Sequence, residues 1–337
     1  MVGRGEKPRS GFDGAPLAGV RVASGSFIWF DSCIMKDRMT TLISEFMAAH
    51  RLPDSFAALA NETYIPLAER VAGWQGAEGG PLGLALNGGQ GTGKSTLAAF
   101  LRIYLKRFHG LRVFVLSLDD LYLTRAERAE LGERVHPLLA TRGVPGTHDL
   151  GIGMDVASGC LSHVHTTIHS PVFEKANDDR APREVWPVIS APVDLLILEG
   201  WCVGALPEPE VALAEPINEL EREDDPKAAW RTYVNEQLKM NYQTFFSLFS
   251  RRVMLKAPDF DCILRWRTKQ EHKLREKLSA SGTAYAGLMD DAAVARFIMH
   301  YERLTRWMLA EMPARVDACI ELNEAHGAER LVFRDDG

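Results

Sequence analysis

The chain has 337 residues, with 46% apolar and 25% charged side chains, a balance that supports a large buried core and excludes a chain disordered throughout. A formal charge of −6 argues against a nucleic-acid binder that works by bulk electrostatics, and no apolar run approaches membrane-spanning length. Five cysteines, Cys33, Cys160, Cys202, Cys262 and Cys319, lack C-x-x-C spacing, so neither a metal knuckle nor a disulfide framework is indicated and a reducing cytoplasm is the expected compartment.

Residues 1–34 are expected to form a mobile leader, because the first stretch is rich in Gly, Arg, Pro and Ser and has no apolar h-region. A helical prefix is expected over 35–80. Met39, Leu42, Ile43, Phe46 and Met47 recur at helical spacing, Pro53 marks a break, and a second amphipathic helix runs from about Tyr64 to Trp74.

Leu84-Ala85-Leu86 then reads as a buried strand leading into GGQGTGKST, Gly88 to Thr96. Gly88, Gly93, Lys94 and Ser95 satisfy G-x-x-x-x-G-K-[ST], the phosphate-binding P-loop. Glycines at Gly89 and Gly91, with Gln90 and Thr92 between, let backbone N–H groups turn inward around phosphates. Lys94 supplies a cation for the β- and γ-phosphates, and the Ser95 hydroxyl is a Mg²⁺ ligand candidate at the N-terminus of the following helix.

Arg112 to Leu118 reads as a parallel strand ending in Asp119-Asp120, where an α/β sheet keeps its ligand crevice. Either acid could accept a hydroxyl proton or hold metal through water. After a helix beginning near Ala126, the loop Thr141 to Asp149 carries Arg142 and His148, candidates for an anionic substrate, with Asp149 expected to cap a helix. His163, His165 and His169 complete no recognised ligand spacing. A polar loop follows with Arg180, another substrate candidate. Val193 to Leu198 is a buried strand closed by Glu199, the place of a metal-organising acid.

An excursion is expected near 205–228, then a helix over Ala229 to Phe246 and a short strand at Cys262-Ile263-Leu264. A basic segment near 265–282 is expected as a lid, with Arg267, Lys273 and Arg275 available to the transferring phosphoryl. A long amphipathic helix spans Ala292 to Met312, and two last strands lie at Asp317 to Leu322 and Leu331 to Phe333. The fold expected is α/β, a P-loop NTPase over 81–337, with a mostly parallel sheet flanked by helices.

Together GGQGTGKST, SLDDLYLT at Ser117 to Thr124, RGVPGTHDL at Arg142 to Leu150 and LILEGWCVG at Leu196 to Gly204 resemble the D-glycerate 3-kinases of plants and their bacterial and fungal relatives. PINELE at Pro216 to Glu221 and WRTYVN at Trp230 to Asn235 fit the same pattern, so the resemblance covers about Leu82 to the end. It departs at Leu121, where the family usually has Phe, and in a shorter, more acidic loop from Lys175 to Arg180. The resemblance implies an ATP- and Mg²⁺-dependent kinase of a small hydroxy acid, D-glycerate, with neither nucleic acid nor membrane as partner. It assigns Asp119 as catalytic base beside Lys94, with Ser95, Asp120 and Glu199 at the metal, and makes Arg142 and His148 the candidates for holding the substrate carboxylate. A kinase of another acceptor, a nucleoside or pantothenate, would share the phosphate-handling residues. A nucleotide-dependent regulatory ATPase is the alternative of a different class, disfavoured by the acid pair and the Gly/Pro loop.

Overall fold

The computed structural model describes residues 26–281 and 289–334, without the side chains of 26–34 and 277–281. It divides into two units, 1–51 and 52–337. The expected leader lies outside the described residues up to 25. The rest of it is not loop, because one helix runs over Ser26–His50. Phe27-Ile28-Trp29-Phe30 is a continuous apolar block with no 3.6-residue alternation, so helical period gave no sign of it. The expected prefix over 35–80 is thereby divided, its first helix in one unit and its second in the other.

The second unit opens with a helical run over Phe56–Leu59, a π-turn at Ala60–Tyr64 and Ile65–Glu78. Gly79 ends the run at φ 70°, a left-handed conformation that glycine adopts without a Cβ clash. The strands that follow are β1 Leu82–Gly88, β2 Val113–Ser117, β3 Thr166–His169, β4 Phe173–Glu174, β5 Asp179–Arg180, β6 Val188–Ala191, β7 Leu195–Gly200, β8 Arg251–Lys256, β9 Ala318–Leu322 and β10 Ala328–Phe333.

Six of them form the main sheet in the order β10-β9-β8-β1-β7-β2. Every pairing is parallel except β10 with β9. All residues of β1 and β7 are buried, as continuous apolar strands in the middle of a helix-covered sheet must be. β3 pairs with β6 and β4 with β5 as two small antiparallel sheets.

One expectation is corrected here. The strand placed at Cys262-Ile263-Leu264 is the first turn of a helix, Phe260–Ser281, and the strand is β8, one step upstream. A three-residue apolar run fits a buried helix face as well as a strand, while the charges of Arg251, Arg252 and Lys256 disguised the core of β8. The segment expected as an excursion carries a short helix, Glu219–Asp224, and is tied to the domain by buried pairs, Arg231 with Asp225 and Arg303 with Glu221. Among the described residues no helix is long and apolar enough to cross a membrane.

Candidate active site

β1 delivers the chain into the glycine loop at the C-terminal edge of the sheet, and the helix Lys94–His109 leaves from it. Gly91 and Gly93 have φ of 82° and 90°. The loop is also pressed from outside. A Cβ on Gly89 would lie 2.6 Å from Ile263 Cδ1, and one on Gly91 2.9 Å from Trp266 Cβ, so helix Phe260–Ser281 holds the loop shut against the sheet. The Thr92 hydroxyl donates to the Gly89 carbonyl at 2.9 Å and closes the turn. The first-turn N–H groups of the helix have no acceptor within it, which leaves an anion-binding end.

β2 and β7 end beside this loop, in register with Ser117 opposite Glu199. Glu199 Oε1 accepts hydrogen bonds from Ser95 Oγ at 3.1 Å and Ser117 Oγ at 2.9 Å. Its Oε2 is buried and has no partner. An unpaired carboxylate oxygen beside a serine hydroxyl is a hard, oxygen-only donor set, which fits Mg²⁺ better than a softer metal.

Past the end of β2, Asp119 and Asp120 diverge. Asp119 Oδ2 accepts from Lys175 Nζ at 2.6 Å and Oδ1 from the Tyr122 hydroxyl at 3.0 Å. Burial pushes its carboxyl up, but the cations of Lys175 and Lys94 outweigh this and hold it at about 2. Asp120 Oδ1 accepts the Phe173 N–H at 3.1 Å, and burial raises its carboxyl. Asp120 therefore anchors the β4–β5 hairpin and does not line the cavity that Asp119 faces.

That cavity, about 510 Å³, is lined by Gln90, Gly91, Gly93, Lys94, Ser95 and Thr96 on one side. Ser117, Asp119 and Glu199 also line it, and Tyr122, Arg142, Lys175, Trp201, Arg267, Gln270, Glu271, Leu274, Phe297 and Tyr301 complete it. Gly88, Gly89 and Thr92 of the loop do not line it. Of the substrate candidates, Arg142 lines the cavity, ion-paired with Asp178 and 5.5 Å from the Phe173 ring. His148 and Arg180 do not. Residues 147–149 pair by backbone with 121–123, which places His148 behind Tyr122, its ring stacked at 4.6 Å. His148 Nδ1 lies 2.6 Å from the Tyr242 oxygen, and burial pushes its pKa down to about 3. Arg180 donates to the Tyr122 carbonyl at 3.0 Å and pairs with Asp149 at 3.1 Å, so both residues support Tyr122.

Of the lid candidates, Arg267 lines the cavity, held by Glu271 at 2.7 Å, whereas Arg275 donates to the Met289 carbonyl and Lys273 lies outside the lining. Lys175, Tyr122, Trp201 and Tyr301 were not among the candidates. Tyr122 and Trp201 each stand two residues past an acidic strand end, Asp120 and Glu199, which was the available signal. Trp201 Nε1 donates to the Gly143 carbonyl at 2.8 Å and its ring meets Tyr301 edge-on at 4.9 Å.

An uncharacterized kinase of Schizosaccharomyces pombe, mug58, is 32% identical over 232 residues, 66% of this chain and 79% of that protein. The chloroplastic D-glycerate 3-kinase of Arabidopsis thaliana is 27% identical over 248 residues, 70% of this chain and 50% of that protein. Among solved structures, a D-glycerate 3-kinase from Cryptococcus neoformans shares the fold, with a TM-score of 0.62 at 22% identity over 80% of this chain and 99% of that one. No family model matches the chain. Its P-loop, the acids at the ends of β2 and β7 and these relatives agree: the chain is a kinase and belongs to the D-glycerate 3-kinase family of P-loop kinases.

Proposed function

We propose that this kinase transfers the γ-phosphoryl of ATP to the terminal hydroxyl of D-glycerate, yielding 3-phosphoglycerate. The observation that carries the reading is the setting of Asp119, a carboxylate at the P-loop cavity with cations on both sides, Lys94 toward the nucleotide and Lys175 toward the acceptor. Arg142 adds a second cation to the acceptor side. An acceptor that brings its own negative charge suits a wall carrying these two cations, which an uncharged nucleoside would leave paired only with Asp119 and Asp178. Similarity to the Arabidopsis D-glycerate 3-kinase supports the same choice.

In this reading the P-loop N–H groups and Lys94 hold the β- and γ-phosphates, and Arg267 covers the transferring group. Asp119 accepts the hydroxyl proton as the oxygen attacks in line. Ser95 and Glu199 are the residues that would hold Mg²⁺, which neutralises phosphate charge when bound. Trp201 and Tyr301 wall the cavity and limit water.

A coupled ADP-release assay over D-glycerate, other hydroxy acids, uridine, pantothenate and no acceptor tests the proposal. D-glycerate should give the highest kcat/KM. Best turnover with uridine or pantothenate would replace the acceptor, and ADP release indifferent to every acceptor would replace the kinase reading with a regulatory ATPase.

A further inference from the structure

Resting on the hydroxy-acid reading above, we propose that Lys175 is the specificity-determining cation of the acceptor site: it leaves Asp119 for the carboxylate of the incoming acid, so that Asp119 receives a hydroxyl only when an anionic acceptor is bound.

Both oxygens of Asp119 are already engaged, Oδ2 with Lys175 and Oδ1 with Tyr122. Only one of these partners can withdraw. Tyr122 is 4% exposed and fixed between the His148 stack and the Phe173 edge. Lys175 has a side chain 60% exposed and sits on the β4–β5 turn. The backbone beneath it is pinned, because Asp120 takes the Phe173 N–H and the buried Arg128 binds both the carbonyl and the carboxylate of Asp178. Movement is thus confined to the flexible stem of Lys175, which carries a compact ammonium with three donors. Arg142, the neighbouring cation, is committed to Asp178 and has a rigid planar head.

The chemistry demands such an exchange. D-glycerate is a three-carbon acid, so with its terminal hydroxyl at Asp119 its own carboxylate lies only a few ångströms away. Two carboxylates that close repel unless a cation stands between them. Lys175 can satisfy the second without leaving the neighbourhood of the first. The hydroxyl then donates to the vacated Oδ2, its proton passes to Asp119 and its oxygen bonds to the γ-phosphorus. The bond from that phosphorus to the bridging oxygen breaks, and ADP departs with the electron pair. Water, which brings no carboxylate, meets Asp119 still paired with Lys175. The same contact therefore rejects neutral acceptors and suppresses idle ATP hydrolysis.

The test measures kcat/KM for D-glycerate and for glycerol, the neutral triol, together with ADP release without acceptor, in the wild type, Lys175→Met and Lys175→Arg. In Lys175→Met, kcat/KM for D-glycerate should fall roughly 30-fold, the scale of one charge-assisted hydrogen bond. The value for glycerol should hold or rise, and acceptor-free ADP release should rise by about tenfold, a small part of what a positioned base supplies. Lys175→Arg should keep most of the preference for D-glycerate. An unchanged glycerate-to-glycerol ratio in Lys175→Met, or equal losses on both acceptors with no added hydrolysis, overturns the proposal and leaves the hydroxy-acid reading standing. A wild type that turns over no hydroxy acid overturns both, and that result is read before any variant is made.

Discussion

Asp119 and Asp120 show how far one residue step separates two roles. Asp119 faces Lys94, Lys175 and the cavity, while Asp120 holds the Phe173 N–H and with it the hairpin that carries Lys175. Asp119→Asn keeps the shape and removes the proton acceptor, so kcat should fall by about a hundredfold or more with ATP affinity retained. Asp120→Asn keeps an oxygen for the Phe173 N–H and should cost about tenfold or less. Steady-state rates beside calorimetric titration with ATP separate the two, and a larger loss at Asp120 would exchange their roles. Asp119, Lys94, Ser95 and Glu199, which line the cavity, were legible in the sequence because each closes or follows a strand in a recognisable spacing; Asp120, expected at the metal with them, does not line it. Lys175 was not legible, since it sits on a turn between strands of two residues each, too short for any period, and its meaning lies in a contact across the fold. His148 looked like a substrate ligand because loop histidines often are; the backbone pairing that buries it behind Tyr122 has no signature in spacing.

At the scale of elements, the site depends on segments that reach it from far along the chain. Helix Asp291–Glu311 contributes Tyr301, whose hydroxyl donates to the Arg142 carbonyl at 3.2 Å. Beside it Gly143 has φ 140°, and a Cβ there would lie 2.1 Å from the Tyr301 oxygen. Gly143→Ala should therefore destabilise by about 3 kcal/mol, combining backbone strain with overpacking, and should lower activity by displacing Arg142 and Tyr301 together. Trimming the obstacle with Tyr301→Phe should recover part of that loss. A double-mutant cycle in denaturant unfolding checks it, and strict additivity would mean that the two residues do not oppose each other. The sequence foretold the strands around the P-loop well, because buried parallel strands are short, apolar and followed by chemistry. It misplaced β8 because the charges at both of its ends outweigh the buried Val253-Met254-Leu255 between them.

Over the whole molecule, His148 is among the groups whose depressed pKa makes the fold sensitive to acid. The Gly146 N–H donates to the Tyr242 oxygen, and the Tyr242 hydroxyl proton is then available to His148 Nδ1, which keeps the imidazole neutral. Its folded pKa of about 3 lies below the ordinary value of 6.5. The stability it contributes is accordingly complete above pH 6.5 and is lost as the pH falls from there toward 3, by about 1.4 kcal/mol per unit. Unfolding free energies in urea across that window should fall less steeply for His148→Gln than for the wild type. Parallel slopes would show that the folded protein protonates His148 without penalty.

The strand order has a further consequence, for the order of events during synthesis. β1, which carries the P-loop, pairs Leu82 with Leu195 on one flank and Leu84 with Arg251 on the other. Its neighbours therefore emerge from the ribosome long after it does, and at a synthesis rate of roughly 5–20 residues per second the strand waits several seconds or more for its first partner. During that interval an apolar edge is open to solvent on both sides, which is where a nascent chain is most exposed to wrong pairing. Release of the nascent domain before β8 has emerged should give a chain bound by chaperones, and the nucleotide pocket should become protease-resistant only after residue 256 has cleared the exit tunnel.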